Sequence, residues 1–367
     1  MTAAPPADRE LAELCDRLWT AAVDGDETAA VDIVTGAAVD GWSIESLLLD
    51  VVAAVQGRLG TEWAADRITV ADEHVATAVN DRVVSALAAR VPPPEDTARR
   101  VTVACVDNEW HALPARLVAE LLATRGWRVD FLGAQVPTAR LVAHLHATAP
   151  EAVLLSASIP THLPTAHAAL TACQSIGVSV LVGGAAFGPD GRHARALHAD
   201  AWAADAREAA VLLEKGIHLR AGSTPRHQVD DLPHLADQEY TLITRGRPTL
   251  VRRVLHELCE RHPPARSYTP AQLDRTAEDI VHIVDFLATA LYVDDPGLFH
   301  DFTAWTAHIL ASRGVPPASL RLGLTLLGGH LHDFPRAHRI LREAIATLDQ
   351  SPPTPVPAPA PGPGTSA

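Results

Sequence analysis

The sequence predicts a protein of mixed class, in which a parallel α/β domain lies between two all-helical regions. Three observations predict this architecture. Residues 9–90 repeat apolar positions at helical spacing. Between residues 101 and 216, short β-branched runs alternate with amphipathic stretches, as expected for strands and crossover helices. From about residue 237 onward the chain again shows helical periodicity with marked helix starts.

Length and composition narrow the functional classes. A chain of 367 residues is too long for one ordinary domain. It has no apolar run long enough to span a membrane and no signal-peptide pattern, so we expect a cytoplasmic protein without membrane contact. The net charge of -14 argues against nucleic acid as a partner, because a protein surface that binds nucleic acid requires basic residues. The four cysteines form no C-x-x-C pair, which argues against a disulfide framework or a zinc site.

Two linkers divide the chain. VPPPEDTARR follows the first helices, and AGSTPRHQVDDLPHLADQ follows the α/β segment. We therefore expect a helical bundle over 1–95, an α/β domain over 96–220 and a helical domain over 221–350. Residues 351–367 are a Pro-rich, low-complexity tail that we expect to be disordered.

The order of elements in the middle segment predicts the sheet. VTVACV, WRVDFLG, AVLLSAS and VSVLVGG are predicted strands, and the shorter ADAWAAD is a fifth. Helical stretches separate them, so the strands should be parallel with right-handed crossovers in a doubly wound sheet.

Helix starts in the C-terminal region are marked by capping residues. Thr269 is a predicted N-cap, and Gln272 is placed to close a capping box. Asp295 before a proline repeats the cap-then-proline pattern. Pro316 and Pro317 are predicted to open the last helix.

One histidine lies on the loop that follows the first strand. His111 is at the carboxyl edge of the sheet, where open α/β sheets bind ligands. Imidazole there can act as a base, a hydrogen-bonding group or a metal ligand. A metal-bound histidine usually donates its second ring N–H to a carboxylate, and Glu109 is placed to accept it. Because the chain has 19 histidines, the pair taken alone is equally typical of an ordinary surface loop.

Three further features fall at the same edge. Ser156 and Ser158 lie at the end of the third strand, in LLSAS, and FLGAQVP ends the second. Gly183 and Gly184 end the fourth strand, where missing side chains would let a flat, bulky ligand approach the backbone.

Together these residues resemble the cobalamin-binding domain of methionine synthase, corrinoid methyl carriers and light-sensing cobalamin repressors. That family carries Asp or Glu, one residue, His, two residues and Gly, then Ser-x-Leu or Ser-x-Thr, then Gly-Gly. The resemblance covers residues 99–217 and implies a Rossmann-like, flavodoxin-like domain. The family glycine is Pro114 here, a residue that the first turn of a helix tolerates.

The resemblance also implies roles for these residues. His111 displaces the dimethylbenzimidazole base of cobalamin as the lower ligand of cobalt, and Glu109 hydrogen-bonds His111. Ser156 and Ser158 meet the detached nucleotide tail. Two glycines line the slot for that tail, namely Gly183 and Gly184.

A second pattern occurs in the N-terminal bundle. Trp63 is followed by nine residues and then by Glu73 and His74. Taken alone, these residues are a core tryptophan and a solvent-facing pair. In context they resemble the helical cap of the light-sensing cobalamin repressors. This implies adenosylcobalamin with its adenosyl group beside the three side chains, and light as the signal that cleaves the cobalt–carbon bond.

The order of domains resembles the photocobilins, which hold cobalamin first and biliverdin in a C-terminal globin-like domain. By this resemblance the C-terminal region is globin-like and positions biliverdin by His282, Phe286, Tyr292, Trp305 and His308. The residues alone indicate an ordinary helical core with histidines at its edges. Haem bound through His282 or His308 is a further alternative.

Polar contacts to a bilin are also implied by that resemblance. Its propionates would pair with Arg245, Arg247, Arg252 or Arg253. Cys259 is the one thiol of this region, either a site of covalent attachment or an inert buried residue.

The function implied is that of a light-sensing photoreceptor rather than an enzyme. We expect a homo-oligomer, such as a dimer, that signals to a partner protein, because the sequence carries no output domain. Two alternatives remain open at this point. One is a corrinoid methyl carrier of a methyltransferase system, and the other is a regulatory interaction protein that binds cobalamin or haem.

Overall fold

The computed structural model describes residues 6–217 and 232–350. They form two compact units divided between Pro225 and Arg226, close to the predicted boundary at 220/221. The first unit contains both the helical bundle and the α/β domain. The predicted tail over 351–367 and residues 221–231 of the second linker lie outside the described residues.

The N-terminal bundle contains four helices within the described residues. Its third helix has a π-helical turn in the middle, flanked by α-helical segments. The fourth begins with a capping box between Thr69 and Asp72. The helices are α1 (Pro6–Val23), α2 (Glu27–Val39), α3 (Ile44–Ser46, Leu47–Val52 and Ala53–Ala64) and α4 (Val70–Ala88).

The core of the bundle confirms the predicted periodicity. Leu18, Leu48, Val51, Val83 and Leu87 are all fully buried. They come from α1, α3 and α4, so each helix contributes an apolar stripe to one shared core.

All five predicted strands are present, and they form one parallel sheet within the described residues. The spatial order is β2-β1-β3-β4-β5, which is the flavodoxin-like doubly wound order. The strands are β1 (Arg100–Cys105), β2 (Arg128–Gly133), β3 (Ala152–Ser156), β4 (Ser179–Gly183) and β5 (Ala201–Ala203).

Helices connect successive strands of the sheet. In the first crossover, α5 begins directly after His111, and Pro114 lies in its first turn, as expected. The crossover helices are α5 (Ala112–Thr124), α6 (Thr138–Thr148), α7 (Leu163–Ser175) and the short α8 (Arg192–Ala196), and α9 (Ala206–Lys215) follows β5.

The bundle packs directly on the α/β domain. Leu113 and Leu117 of α5 belong to the apolar core of the bundle. Beside them, the Arg116 guanidinium donates to Asp81 Oδ1 at 2.7 Å and to Ser85 Oγ at 2.9 Å. One face of α5 is therefore part of the bundle.

A second set of ion pairs joins the N-terminal part of α3 to the sheet domain. Arg207 of α9 donates to Glu45 at 3.0 Å and to Asp50 at 2.9 Å. Arg125 also contacts Glu45, at 3.3 Å. Because these pairs are partly exposed, they contribute orientation more than stability.

Residues 232–350 contain five α-helices, which confirms the helical character of this unit. Thr269 closes its predicted capping box with Gln272, and Asp295 accepts from the Gly297 amide. The helices are α10 (Glu239–Arg261), α11 (Pro270–Val293), α12 (Pro296–Ser312), α13 (Pro317–His330) and α14 (Pro335–Gln350). The globin-like arrangement stays a prediction.

One prediction about this unit was wrong. Pro317 opens α13, but α13 is not the last helix, because a further helix begins at Pro335. A proline at the first helical position lacks an N–H that would be unpaired there anyway. Pro335 therefore starts a new helix after the short connection over 331–334.

The described helices include none that is both long and apolar enough to cross a membrane. The four cysteines all lie in the described ranges and form no disulfide. Burial raises the pKa of Cys105 and of Cys173 to about 12, so these two thiols stay protonated at neutral pH.

Candidate functional site

The carboxyl ends of the central strands bring the predicted residues together. Cys105 at the end of β1 pairs with Ser156 of β3, and Ser156 pairs with Gly183 of β4. The loop that carries Glu109 and His111 begins at this edge, where the Val106 amide donates to the Ser156 carbonyl at 3.1 Å.

Glu109 is the centre of the site. Its side chain is completely buried, and five hydrogen bonds reach it. Oε1 accepts from Nδ1 of His111 at 2.6 Å and from the His111 amide at 2.9 Å. Oε2 accepts from the amides of Ser158 at 2.6 Å and Ile159 at 3.3 Å, and from Nδ1 of His162 at 3.2 Å. The predicted hydrogen bond between Glu109 and His111 is thus present.

These donors decide the protonation state of Glu109. Burial by itself raises the pKa of the carboxyl, but the hydrogen bonds from His111, His162 and the Ser158 amide outweigh burial and hold the pKa far below its usual range. Glu109 is therefore ionised at neutral pH. An ionised carboxylate can only accept, so both imidazoles donate to it from Nδ1.

His111 has an exposed imidazole that could ligate a metal. It is the N-cap residue of α5, and its side chain is 58% exposed although Nδ1 is held by a buried group. With the proton on Nδ1, the neutral ring carries its lone pair on Nε2, which is the form that ligates a metal. The hydrogen bond to Glu109 raises the pKa of His111; burial opposes this, and the charges of Glu109 and Glu73 add to it.

Trp110 lies between the two residues of the motif and is 74% exposed. A large aromatic side chain so open to solvent is unusual beside a buried carboxylate. It gives the edge around His111 an apolar surface that suits a flat macrocycle.

The structure gives Gly184 a packing role within the protein itself. A Cβ on Gly184 would overlap the carbonyl oxygen of Ala157, and Gly184 has a φ of +99°. The protein backbone therefore requires glycine at this position, and the predicted ligand contact of the two glycines stays a prediction. A Cβ on Gly183 would lie 3.4 Å from the Ala203 carbonyl oxygen, which is an ordinary contact.

The two predicted serines flank this backbone contact. Ser156 and Ser158 are both half-buried at the end of β3. Ser158 takes part in the site through its amide, which donates to Glu109. The tail contacts stay predictions.

The cap residues lie on α3 and α4. Trp63 is half-buried in the last turn of α3. His74, with a side chain that is 73% exposed, donates from Nδ1 to the Val70 carbonyl at 2.8 Å and lies 2.9 Å from Glu73. The charge of Glu73 adds to the raised pKa of His111.

A chain of hydrogen bonds runs from Glu73 into the bundle. The Thr77 hydroxyl donates to Glu73 at 2.8 Å, and Gln56 donates to Thr77 at 2.8 Å. Asn80, which is fully buried, donates to Gln56 at 2.9 Å. Each residue in this series donates to the next one toward Glu73, and the Glu73 carboxylate accepts the last hydrogen bond.

The sequence did not identify several of these residues. His162 lies 53 positions after Glu109, and no spacing rule links the two. Gln56, Thr77 and Asn80 sit on two different helices; the spacing of four between Glu73 and Thr77 is the one signal that could have been used.

The predicted bilin residues are spread over two helices of the second unit. His282 is exposed on α11, whereas Trp305 and His308 are half-buried on α12. Phe286 stacks on Phe302 of α12, with ring centroids 3.8 Å apart. Tyr292 is only 2% exposed and packs edge-on against Tyr240, so its ring belongs to the helical core in this structure.

Two of the four predicted arginines donate hydrogen bonds within this unit. Nη1 of Arg247 donates to both carboxylate oxygens of Asp285, at 2.7 and 2.8 Å, and Arg252 donates to the Pro248 carbonyl at 3.2 Å. Arg245 and Arg253 are exposed. Cys259 lies in an open groove of about 630 Å³. Its other lining residues are His256, Glu260, Ala265, Tyr268 and Leu273.

The donor set in the first unit fits a corrin. The His111 imidazole donates from Nδ1 to a buried carboxylate, and an exposed aromatic side chain lies beside it in sequence. When the ring is neutral, this hydrogen bond leaves the lone pair on Nε2, as a ligand of cobalt requires. Among the described residues, no group of three or more histidine, cysteine or carboxylate side chains could hold a bare metal ion.

Comparison with known families agrees with this chemistry. Residues 99–213 match a family model described as B12 binding domain, and residues 14–88 match a second one with the same description. The two matches cover the α/β domain and most of the bundle. No curated protein sequence matches the chain.

Several solved structures share partial similarity. The Methanosarcina barkeri monomethylamine corrinoid protein is 20% identical, with a TM-score of 0.49 over 55% of this chain and 98% of its own. A cobalamin-binding protein from Desulfitobacterium hafniense DCB-2 is 16% identical, with a TM-score of 0.31 over 54% of this chain and 96% of its own.

The methanol:cobalamin methyltransferase complex of Methanosarcina barkeri contains a chain that is 18% identical. Its TM-score is 0.32 over 60% of this chain and 88% of its own. From the family matches and the geometry around Glu109, the first unit of this chain consists of a helical B12-binding domain followed by a Rossmann-like B12-binding domain.

Proposed function

We propose that this chain is a light sensor that binds adenosylcobalamin between its two B12-binding domains and a linear tetrapyrrole, biliverdin, in its second unit. The observation that supports the proposal is the hydrogen bond from His111 to the buried Glu109 at the carboxyl edge of the sheet. Trp63, Glu73 and His74 belong to the bundle, whose core includes Leu113 and Leu117 of the helix that follows His111. We infer that both domains contribute residues to one ligand site.

The residues of the sheet domain would form the lower side of the site. His111 would bind cobalt through Nε2, and Glu109 would hold the proton on Nδ1. Adenosylcobalamin supplies a cobalt–carbon bond that visible light can cleave. Trp63, Glu73 and His74 would cover the opposite side and keep water away from that bond.

The bundle can respond to a change at this site. Glu73 is connected through Thr77 and Gln56 to the buried Asn80, so a shift of its carboxylate disturbs hydrogen bonds between α3 and α4. A sensor needs such a link between ligand state and helix packing. The chain would act without catalysis of its own, as a homo-oligomer such as a dimer that signals to a partner protein.

The bilin part of the proposal rests on the aromatic residues of the second unit. Phe286 and Phe302 stack, and Trp305 and His308 lie half-buried on the same helix as Phe302. A flat conjugated ligand would require these rings to part. Haem is the other ligand that such a site would take, and its Soret band distinguishes it from biliverdin.

The test is an absorption spectrum of the full-length protein loaded with adenosylcobalamin and biliverdin, recorded in the dark and after green or red light. We expect blue-green cobalamin bands and red bilin bands, both changed by illumination. Identical dark and light cobalamin bands would refute the sensor. Absence of red bands after incubation with biliverdin would refute the bilin site alone.

A corrinoid methyl carrier would use the same two B12-binding domains, so the experiment needs an arm for it. The protein loaded with methylcobalamin is incubated in the dark with a thiol acceptor and a corrinoid-dependent methyltransferase. The sensor proposal predicts no methyl transfer above the rate for free methylcobalamin. Rapid dark transfer would replace the sensor with the carrier.

A further inference from the structure

His162 is a second imidazole on the buried carboxylate of Glu109. It ends the short 3-10 turn Pro160–His162 between β3 and α7. Its Nδ1 lies 3.2 Å from Glu109 Oε2, and its side chain is 19% exposed. The Glu109 carboxylate therefore lies between two histidines, one bound to each oxygen.

The two oxygens of Glu109 serve different partners. Within the described residues, Oε1 accepts from His111 alone, through its ring and its amide. Oε2 meets the amides of Ser158 and Ile159 together with His162. A carboxylate can rotate about its terminal bond, and donors on Oε2 determine where Oε1 lies.

The donors on Oε2 are of unequal quality. The Ser158 amide is close, at 2.6 Å, but the Ile159 amide is 3.3 Å away. Among the described residues, His162 is the one side-chain donor to this oxygen. It comes from the 3-10 turn after β3, whereas the closest donor, the Ser158 amide, belongs to the segment that directly follows the strand.

We propose that His162 is a positioning residue for the cobalt ligand. It holds Glu109 so that Oε1 keeps the proton on Nδ1 of His111 and the lone pair on Nε2. This role rests on the proposed ligation of cobalt by His111. It differs from a packing role, because it depends on the N–H of the imidazole and not on its bulk.

Two substitutions separate the donor from the bulk. His162→Asn keeps an N–H on the γ position, close to where Nδ1 lies. His162→Leu keeps the volume but removes the donor. His162→Ala is a second donor-free variant, so the comparison does not depend on one substitution folding, which circular dichroism checks for each protein.

The experiment uses the full-length protein in the dark with methylcobalamin as the probe. We expect His162→Leu and His162→Ala to weaken binding about 10- to 100-fold, the usual range for an outer partner of a metal ligand, and to lower the histidine-ligated fraction in the absorption spectrum. His162→Asn should stay within about threefold of the wild type. In the ligand-free protein, ¹⁵N NMR should show His111 with its proton on Nδ1 in the wild type and in His162→Asn, and a mixture of tautomers in the donor-free variants.

Two results would overturn the positioning role. One is a donor-free variant with wild-type affinity, spectrum and tautomer. The other is an equal loss in His162→Asn and His162→Leu, which would show that the ring itself matters. His111→Ala, measured alongside, separates this inference from the proposed ligation: an unchanged spectrum in that variant refutes the ligation itself.

Discussion

Glu109 shows how one buried charge can organise a site. Its carboxylate has no exposed surface, and an isolated charge in such a place would cost several kcal/mol. Five donors from three segments of the chain compensate for this cost: the His111 loop, the end of β3 and the turn that follows it. The segments are therefore held together before any ligand binds.

Protonation of His111 should compete with cobalt. The pKa of His111 is raised above its ordinary value, chiefly by the hydrogen bond to Glu109. The protonated form stabilises the ligand-free protein below about pH 6.5, and this contribution is lost as the pH rises through the folded-state pKa. Affinity for cobalamin should thus fall about tenfold per pH unit below that pKa, since one proton competes with one ligand.

A spectrophotometric titration with methylcobalamin between pH 5 and pH 8.5 (a range of about 3.5 units) measures this dependence. In Glu109→Gln the pKa of His111 should move down toward 6.5, and the fall in affinity should begin at lower pH. An affinity that is constant over the whole range would contradict the role of His111 as the ligand.

Gly184 should tolerate no side chain. In Gly184→Ala the Cβ would overlap the Ala157 carbonyl, and a φ of +99° is already unfavourable for alanine. We expect a loss of about 2–6 kcal/mol in the free energy of unfolding of the first unit, from strain and overlap together. Guanidinium unfolding followed by tryptophan fluorescence reports on this unit, because six of the seven tryptophans precede residue 226.

Gly177→Ala is the matched control for this prediction. Gly177 has a φ of +83°, but a Cβ there would meet nothing within 4 Å. It should therefore show only the cost of the backbone conformation, about 1–2 kcal/mol. Equal losses in the two variants would mean that the contact with Ala157 does not restrict Gly184.

At the scale of elements, α5 is the helix that connects the two domains of the first unit. Leu113 and Leu117 belong to the core of the bundle, whereas Leu121 and Leu122 belong to the core of the sheet domain. The same helix begins at His111. Movement of the bundle would therefore act on the helix whose N-cap residue, His111, is the proposed ligand of cobalt.

The N-terminus of α14 offers a test of an element in the second unit. Glu239 is 5% exposed, and its two oxygens accept from the amides of Arg336 at 3.0 Å and Ala337 at 2.9 Å. In Glu239→Ala both amides lose their partner, at a cost of about 1–3 kcal/mol. Hydrogen exchange of the α14 amides should then accelerate about 5- to 100-fold.

Glu239→Gln keeps one accepting oxygen and should show a smaller acceleration than Glu239→Ala. Unchanged exchange in α14 of Glu239→Ala would contradict the capping role. Residues of the first unit serve as an internal reference in the same measurement.

Most elements were predictable because their signals are local. Each β-branched run became a strand, and Thr269 and Asp295 cap the helices that they were expected to cap. The start of α14 was missed because a proline alone does not distinguish the end of one helix from the beginning of the next. The π-helical turn over Leu47–Val52 was missed because its spacing differs little from that of an α-helix.

The site was predictable only where its members lie close in sequence. Glu109 and His111 are two residues apart, so their hydrogen bond follows from the loop. His162 reaches the same carboxylate only because parallel strands place the β1 and β3 ends side by side. Gly184 was recognised as special, but its contact with Ala157 depends on tertiary packing that no pattern encodes.

At the scale of the whole molecule, the two compact units suggest a division of ligands. Both B12-binding matches lie in the first unit, and the aromatic residues proposed for biliverdin lie in the second. Adenosylcobalamin at about 100 times its Kd should add about 2.7 kcal/mol to the stability of the state that binds it. Hydrogen exchange in the dark should thus slow in the bundle and the sheet domain.

Biliverdin added alone should slow exchange in α11 and α12 instead. Hydrogen exchange measured with each ligand alone tests whether the two ligands bind to different units. Protection by adenosylcobalamin confined to residues 232–350, or protection by biliverdin confined to residues 6–217, would contradict it.

The most direct test of the account is the dark absorption spectrum of the full-length protein with adenosylcobalamin, compared between wild type, His111→Ala and His146→Ala. His146 is an exposed histidine on α6 and serves as the control. The account predicts a base-off, histidine-ligated spectrum in the wild type and in His146→Ala, and loss of histidine ligation in His111→Ala. The same histidine-ligated spectrum in all three proteins would contradict the assignment of His111 as the ligand of cobalt.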